Sequence, residues 1–439
     1  MPVTATYTQH SCTVLEHRIE VPLDHGRPLG PDNPGIEVFA REVVRPGGED
    51  LPHLVFLQGG PGGRGPRAGN FLEESWYGRA LEEFRLVMLD QRGTGQSTRI
   101  DAQSLSAFDT DRERADHLTF FRQDQIVRDA EVMRQEITGG RPWVSLGQSY
   151  GGFLTLAYLS LAPEGLSTSL VAGGLPGLVD IDEIYRLTYA RTAQRNRTYL
   201  ERYPWDQATI REVAAHLRDT EEHLPTGDRL STQRFRLIGL GLGMTTSFDQ
   251  LHYLLEGPWV HVRGERRLSS EFLEGVAAHV SMNPAYGALH EAIYAGATPD
   301  LAGRATNWSA QRLAEEIPGF QPDADPLDIS EPYHLTGEHM MHAFFDEDPA
   351  LVPLRGATEE LARRTDWTPV YLPDVLARNE VPLAAAVYFD DMFVPRELSL
   401  DTAELVRGTR VWVTNEYQHD GIRASGGKVL DHLLALVRD

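Results

Sequence analysis

Ser149 stands in the run Trp143-Val144-Ser145-Leu146-Gly147-Gln148-Ser149-Tyr150-Gly151-Gly152, where a short apolar stretch passes into a G-x-S-x-G turn. A strand that reverses sharply into a helix crowds its own backbone. Flanking glycines leave room for the neighbours, while the strained turn aims the serine hydroxyl outward as a nucleophile elbow. A hydroxyl is a weak nucleophile at neutral pH, so it needs a base, and the base needs an orienting carboxylate. Two later apolar runs end in suitable groups: 383–389 in Asp390-Asp391-Met392-Phe393-Val394-Pro395, and 410–413 in Thr414-Asn415-Glu416-Tyr417-Gln418-His419-Asp420-Gly421. The D-x-x-x-P spacing from Asp391 to Pro395 favours Asp391, with Asp390 as a solvated or structural neighbour. Position at a strand end singles out His419 among 16 histidines. Asp420 directly beside it is a poor orienter, because sequential neighbours do not face each other. Acyl transfer also needs donors for an oxyanion. The loop Gln58-Gly59-Gly60-Pro61-Gly62-Gly63 after an apolar run offers the N–H of Gly59 or Gly60, and the residue after the nucleophile, Tyr150, offers another.

The elements around these groups alternate. Ile36-Glu37-Val38-Phe39-Ala40, Leu54-Val55-Phe56-Leu57 and Leu86-Val87-Met88-Leu89 read as strands, the latter two buried on both faces. Ile126, Val127, Ala130, Val132, Met133 and Ile137 recur at helical spacing between Phe121 and Thr138. The Ser149 strand, a small-residue helix and Leu170-Val171-Ala172 follow. This β-α-β order, with Ser, acid and His in that sequence, predicts an α/β-hydrolase fold with a mostly parallel, doubly wound sheet. From 180 to 379 the chain turns to long amphipathic stretches with few strand signals, so a large helical cap insertion is expected there. The catalytic domain is then 1–179 and 380–439. A closing amphipathic helix carries Val429, Leu430, Leu433, Leu434 and Val437.

With 439 residues the chain exceeds what one core usually serves. Its 41 basic and 64 acidic residues give a net charge of −23 with no basic block, which argues against a nucleic-acid partner. One cysteine, Cys12, excludes an intrachain disulfide and a cysteine-rich metal site. No basic-then-apolar leader opens the sequence, and no apolar run approaches the roughly 20 residues of a membrane span. A soluble, cytoplasmic protein without a membrane partner is expected.

The motifs Gln58-Gly59-Gly60-Pro61-Gly62, Asp90-Gln91-Arg92-Gly93-Thr94-Gly95-Gln96-Ser97 and Gly147-Gln148-Ser149-Tyr150-Gly151-Gly152 resemble those of the proline iminopeptidase (prolyl aminopeptidase) family of α/β-hydrolase serine peptidases. That family reads H-G-G-P-G at the first, so Gln58 departs from its histidine, which leaves the backbone donors in place. The motifs span the sheet region, and the insertion matches only in size and helical character. The resemblance implies release of an N-terminal proline or similar small residue from short peptides, no cofactor, and recognition of the free amine by carboxylates on the cap. Glu291 in Ala288-Leu289-His290-Glu291-Ala292-Ile293-Tyr294 and Glu338 in Leu335-Thr336-Gly337-Glu338-His339-Met340-Met341 sit among apolar neighbours and fit that role, with Glu183 a third candidate. The competing description of each is an acid on an amphipathic helix that meets water. Asp90 and Arg92 are expected to brace the loops.

The same scaffold supports an esterase or lactonase, since fold does not decide substrate. Such an enzyme has no cation to hold and no use for the two acids. A serine at the elbow argues against epoxide and haloalkane hydrolases, which use aspartate there. A catalytically silent binding protein would leave Ser149 unreactive to a fluorophosphonate. Gly239-Leu240-Gly241-Leu242-Gly243 lacks the strand and downstream acid of a dinucleotide site, and His339 with His342 lacks a zinc-binding spacing.

Overall fold

The computed structural model describes residues 3–67, 69–71 and 73–438. Three strands, β1 (Val3–Gln9), β2 (Cys12–Pro22) and β3 (Gly35–Val44), form an antiparallel meander. β3 joins antiparallel to β5 (Arg85–Asp90), and from there β4 (His53–Leu57), β6 (Trp143–Gln148) and β7 (Leu166–Ala172) run parallel. The hairpin β8 (Trp259–Val262) and β9 (Glu265–Leu268) stands apart, and β10 (Leu383–Tyr388) and β11 (Thr409–Thr414) complete the main sheet. The nine-stranded order is β1-β2-β3-β5-β4-β6-β7-β10-β11.

The apolar runs account for this centre. β4, β6 and β10 are buried along their whole length, as strands covered on both faces must be. Alternate side chains enter opposite layers: Leu54 and Phe56 pack with Trp76 and the helix Lys428–Arg438, whereas Val55 and Leu57 pack under the helices Gln123–Thr138 and Tyr150–Leu161. The closing helix buries Val429, Leu430, Leu433 and Leu434, with Val437 half-covered.

Two features go beyond the sequence reading. β1 and β2 precede the first strand that composition made obvious, and β2 shows the in-and-out burial of a sheet with one wet face. The 180–379 stretch is mainly helical but contains the short β8–β9 hairpin, whose exposed Val260 and Val262 carry no core signal. Buried side chains of this stretch, among them Tyr185, Leu242 and Ile293, are continuous with those on one sheet face. Arg122, buried at the start of the helix Gln123–Thr138, helps fasten it there. Its guanidinium donates to the carbonyls of Ala292 (2.9 Å) and Ala295 and lies 4.6 Å from the Trp367 ring. Among the described residues no helix is long and apolar enough to cross a membrane.

Candidate active site

β6 ends at Gln148, and the helix Tyr150–Leu161 begins one residue later, leaving Ser149 alone in the turn. Ser149 has φ 56° and ψ −125°, a positive-φ conformation that costs a non-glycine residue about 1–3 kcal/mol. The turn is held by its neighbours. Ser149 N–H donates to the Ala172 carbonyl on β7 (3.1 Å), and Gly152 N–H donates to the Ser149 carbonyl (2.7 Å). Gly151 has no alternative here, because a Cβ on it would stand 1.8 Å from the Leu57 carbonyl oxygen.

β10 delivers Asp391 and β11 delivers His419. The His419 Nδ1 and Asp391 Oδ2 are 2.8 Å apart, and both side chains are buried. The other oxygen, Asp391 Oδ1, accepts from the N–H groups of Phe393 (2.9 Å) and Val394 (3.0 Å), so the turn toward Pro395 orients the carboxylate. Of the two adjacent acids, Asp391 is the one that meets the imidazole. Burial works to lower the His419 pKa, but the Asp391 carboxylate, by charge and hydrogen bond, with a further contribution from Glu338, outweighs it and leaves the pKa above the ordinary histidine value. The Phe393 ring meets the imidazole edge-on at 4.9 Å.

Ser149 and His419 open into one cleft of about 370 Å³, lined also by the 58–63 loop, by Leu240, Met244 and Phe393, and by Glu338. The glycine loop lies close against the elbow: a Cβ on Gly59 would come within 3.0 Å of the Ser149 Cβ. Gln91 Nε2 donates to the Gln58 carbonyl (2.9 Å), and Asn283 Nδ2 to that of Gly62 (3.2 Å), which holds the loop from both ends. Tyr150, the first helical residue, has no intrahelical acceptor for its N–H.

Glu338 is half-buried in the cleft wall, and its Oε1 accepts from the Tyr286 hydroxyl at 2.6 Å. Burial, and then the charge of Glu338, push the Tyr286 phenol well above its usual pKa, so it remains a donor. Glu338 is further positioned by its carbonyl, 3.2 Å from His290 Nε2. His339 stacks flat on Tyr189 at 3.7 Å, and burial holds its pKa down to about 3.

Glu291 does not join Glu338 in the cleft. It follows the short helix Pro284–Leu289 and lines a separate void of about 10 Å³ with Thr306, Trp308 and Met340. Neither carboxylate oxygen has a hydrogen-bond partner. Burial raises its pKa to about 7, against the Thr306 hydroxyl and the amides of Ala310, Ser309 and Trp308, which pull the other way from outside hydrogen-bonding geometry. A carboxyl with a folded pKa above its unfolded one favours folding below the unfolded value, near pH 4.5, and loses that advantage as pH rises through about 7. Glu291→Gln is therefore expected to stabilise the free protein by roughly 3 kcal/mol at pH 8 and hardly at pH 4.5. Paired denaturant titrations at the two pH values measure this, and an equal effect at both would refute it. Glu183, the third acid, is exposed on the first turn of the helix Ile181–Arg202.

Comparison with known proteins bears on this arrangement. Residues 52–265 match the family model described as alpha/beta hydrolase fold. The chain is 41% identical over 428 residues to the proline iminopeptidase of Aeromonas sobria, covering 96% of each. It is 31% identical over 439 residues to a proline iminopeptidase of Aspergillus aculeatus, covering 98% of this chain and 94% of that one. The chain belongs to the proline iminopeptidase family. It is a hydrolase on the α/β-hydrolase scaffold, as its sheet order and motifs predict.

Within this family member the D-Q-R-G segment braces loops. Asp90 accepts from Gly65 N–H (2.9 Å), Gln96 N–H (2.8 Å) and Arg67. Arg92 is buried on Asp129 and donates to the carbonyls of Leu23 (2.6 Å) and Phe120 (2.8 Å). The Gly239–Gly243 stretch has a packing role, with His419 N–H donating to the Gly243 carbonyl at 3.1 Å. Tyr286 and Asn283 escaped the sequence reading. Asn283 followed by Pro284 is a helix-start signature that marks this segment, and Asn283 Oδ1 accepts from Ala285 N–H at 2.9 Å.

Proposed function

We propose that this protein is a serine aminopeptidase that releases N-terminal proline, or a similar small residue, from short peptides through an acyl-enzyme. Ser149 Oγ attacks the carbonyl of the first residue and passes its proton to His419 Nε2, while Asp391 holds the imidazole through Nδ1. The N–H of Gly59 or Gly60, with that of Tyr150, takes up the oxyanion charge. His419 returns the proton to the leaving nitrogen, and water then attacks the acyl-enzyme with His419 again as base. The 180–379 stretch serves as the substrate-selecting cap over the catalytic domain 1–179 and 380–439. Its Glu338 pairs with the substrate ammonium. Glu291, on its separate void, is the second acid of amine recognition, and a cation beside it would hold it ionised. Neither metal nor organic cofactor is needed. A cytoplasmic location accords with the single, buried Cys12.

The observation that carries this reading is a half-buried carboxylate, Glu338, in the same cleft as Ser149 and His419. The names of the two relatives support proline as the residue released. Steady-state assays should show cleavage of prolyl-β-naphthylamide, none of its N-acetyl form, and weak turnover of p-nitrophenyl acetate. Ester turnover without amide cleavage would convert the reading to an esterase.

The pH dependence follows from His419. A base works only when neutral, so kcat/KM should rise with pH along a limb whose midpoint lies above about 6.5. Asp391→Asn should move that limb to lower pH and cut turnover by about 10⁴-fold. A limb that stays in place in the variant would show that another group titrates.

A further inference from the structure

A second cavity of about 280 Å³ adjoins the catalytic cleft, and the two share Gln58, Gln148 and Arg423 as a common wall. Phe56, Trp76 and Ile422 give it an apolar, aromatic floor, and Arg64 and Arg423 stand at its edge. Both arginines are exposed, and among the described residues neither forms an ion pair or a side-chain hydrogen bond. Nearby arginines are neutralised: Arg67 by Asp90, and Arg79 by Glu83 and Asp431. Two unpaired guanidinium groups around one small cavity, in a chain of net charge −23, form a ready receptor for an anion.

The chemistry decides which anion. His419 protonates the departing nitrogen, so the leaving part of the substrate lies on its side of Ser149. Arg423 belongs to the helical turn Gly421–Ala424, which begins two residues after His419. Glu338 lines only the first cavity, so the two ends of the combined site have opposite charge. A dipeptide zwitterion has that pattern, with ammonium at its first residue and carboxylate at its second.

We propose that the second cavity receives the residue after the scissile bond and that Arg64 and Arg423 hold its free C-terminal carboxylate. The enzyme thereby favours Pro-Xaa dipeptides with an apolar second residue over C-terminally blocked ones. This rests on the aminopeptidase reading above. The test compares kcat/KM for Pro-Leu and Pro-Leu amide, with prolyl-β-naphthylamide alongside, in wild type, Arg64→Gln/Arg423→Gln and Arg64→Lys/Arg423→Lys. Taking the ratio of the two dipeptides within each enzyme cancels any general change in catalysis.

Wild type should prefer the free carboxylate by about tenfold or more, the glutamine variant should bring the ratio to about one, and the lysine variant should restore most of it. A wild-type ratio near one, or a ratio that survives in the glutamine variant, overturns the subsite while prolyl-β-naphthylamide is still cleaved. Inactivity of wild type on all three substrates overturns the aminopeptidase reading and the subsite with it.

Discussion

Ser149→Ala is expected to lower turnover of prolyl-β-naphthylamide by roughly 10⁴- to 10⁶-fold with no loss of stability. The alanine Cβ sits where the serine Cβ did, so the packing of the elbow against Gly59 is kept, and so is the strain at φ 56°. Only the nucleophile is removed. Ser149→Gly should be equally inactive yet more stable by about 1 kcal/mol, because glycine accepts a positive φ without the Cβ clash. Single-turnover assays and denaturant titrations of the two variants separate these effects. Retained activity in Ser149→Ala would assign the nucleophile elsewhere. Equal stability of the variants would mean that the turn stores no measurable strain.

Glu338→Gln should reduce kcat/KM for the free-amine arylamide by about 10²-fold and leave p-nitrophenyl acetate within a few-fold of wild type. Breaking one side of a desolvated charge pair costs about 2–5 kcal/mol, and the half-exposed setting of Glu338 places this case at the low end. Glutamine can still accept from Tyr286, so the 2.6 Å bond and the cleft wall are preserved while the charge is lost. The same variant should shift the acid limb of the pH profile slightly downward, since Glu338 is one of the charges that raise the His419 pKa. Loss of ester and amide turnover in equal measure would contradict amine recognition and point to collapse of the cleft.

Much of the catalytic layer is readable along the chain because its parts are local. The Ser149 elbow depends on glycines within two residues, Asp391 on amides two and three residues ahead, and the 58–63 loop on a strand that ends beside it. Their order past successive strand ends also follows from periodicity, since apolar runs of five or six residues between turns have few alternatives to a buried parallel sheet. β2 carried an alternating pattern as clear as any, but its polar residues and one wet face made it less conspicuous than the all-apolar strands.

What the sequence by itself determined is therefore the family motifs, the parallel sheet and the residues at its strand ends. Only the tertiary structure decided how the long helical stretch relates to them. Glu291 and Glu338 look alike as acids among apolar neighbours, yet Glu338 borders the cleft beside Tyr286 and Glu291 borders a separate small void near Trp308. Arg64 and Arg423, 359 positions apart, meet at one cavity for which neither local sequence gives a signal. The physical reason is the same in both cases. Local rules govern a turn or a strand because its own backbone hydrogen bonds and sterics set its shape. Which cavity a side chain meets is set by packing between segments far apart in the chain.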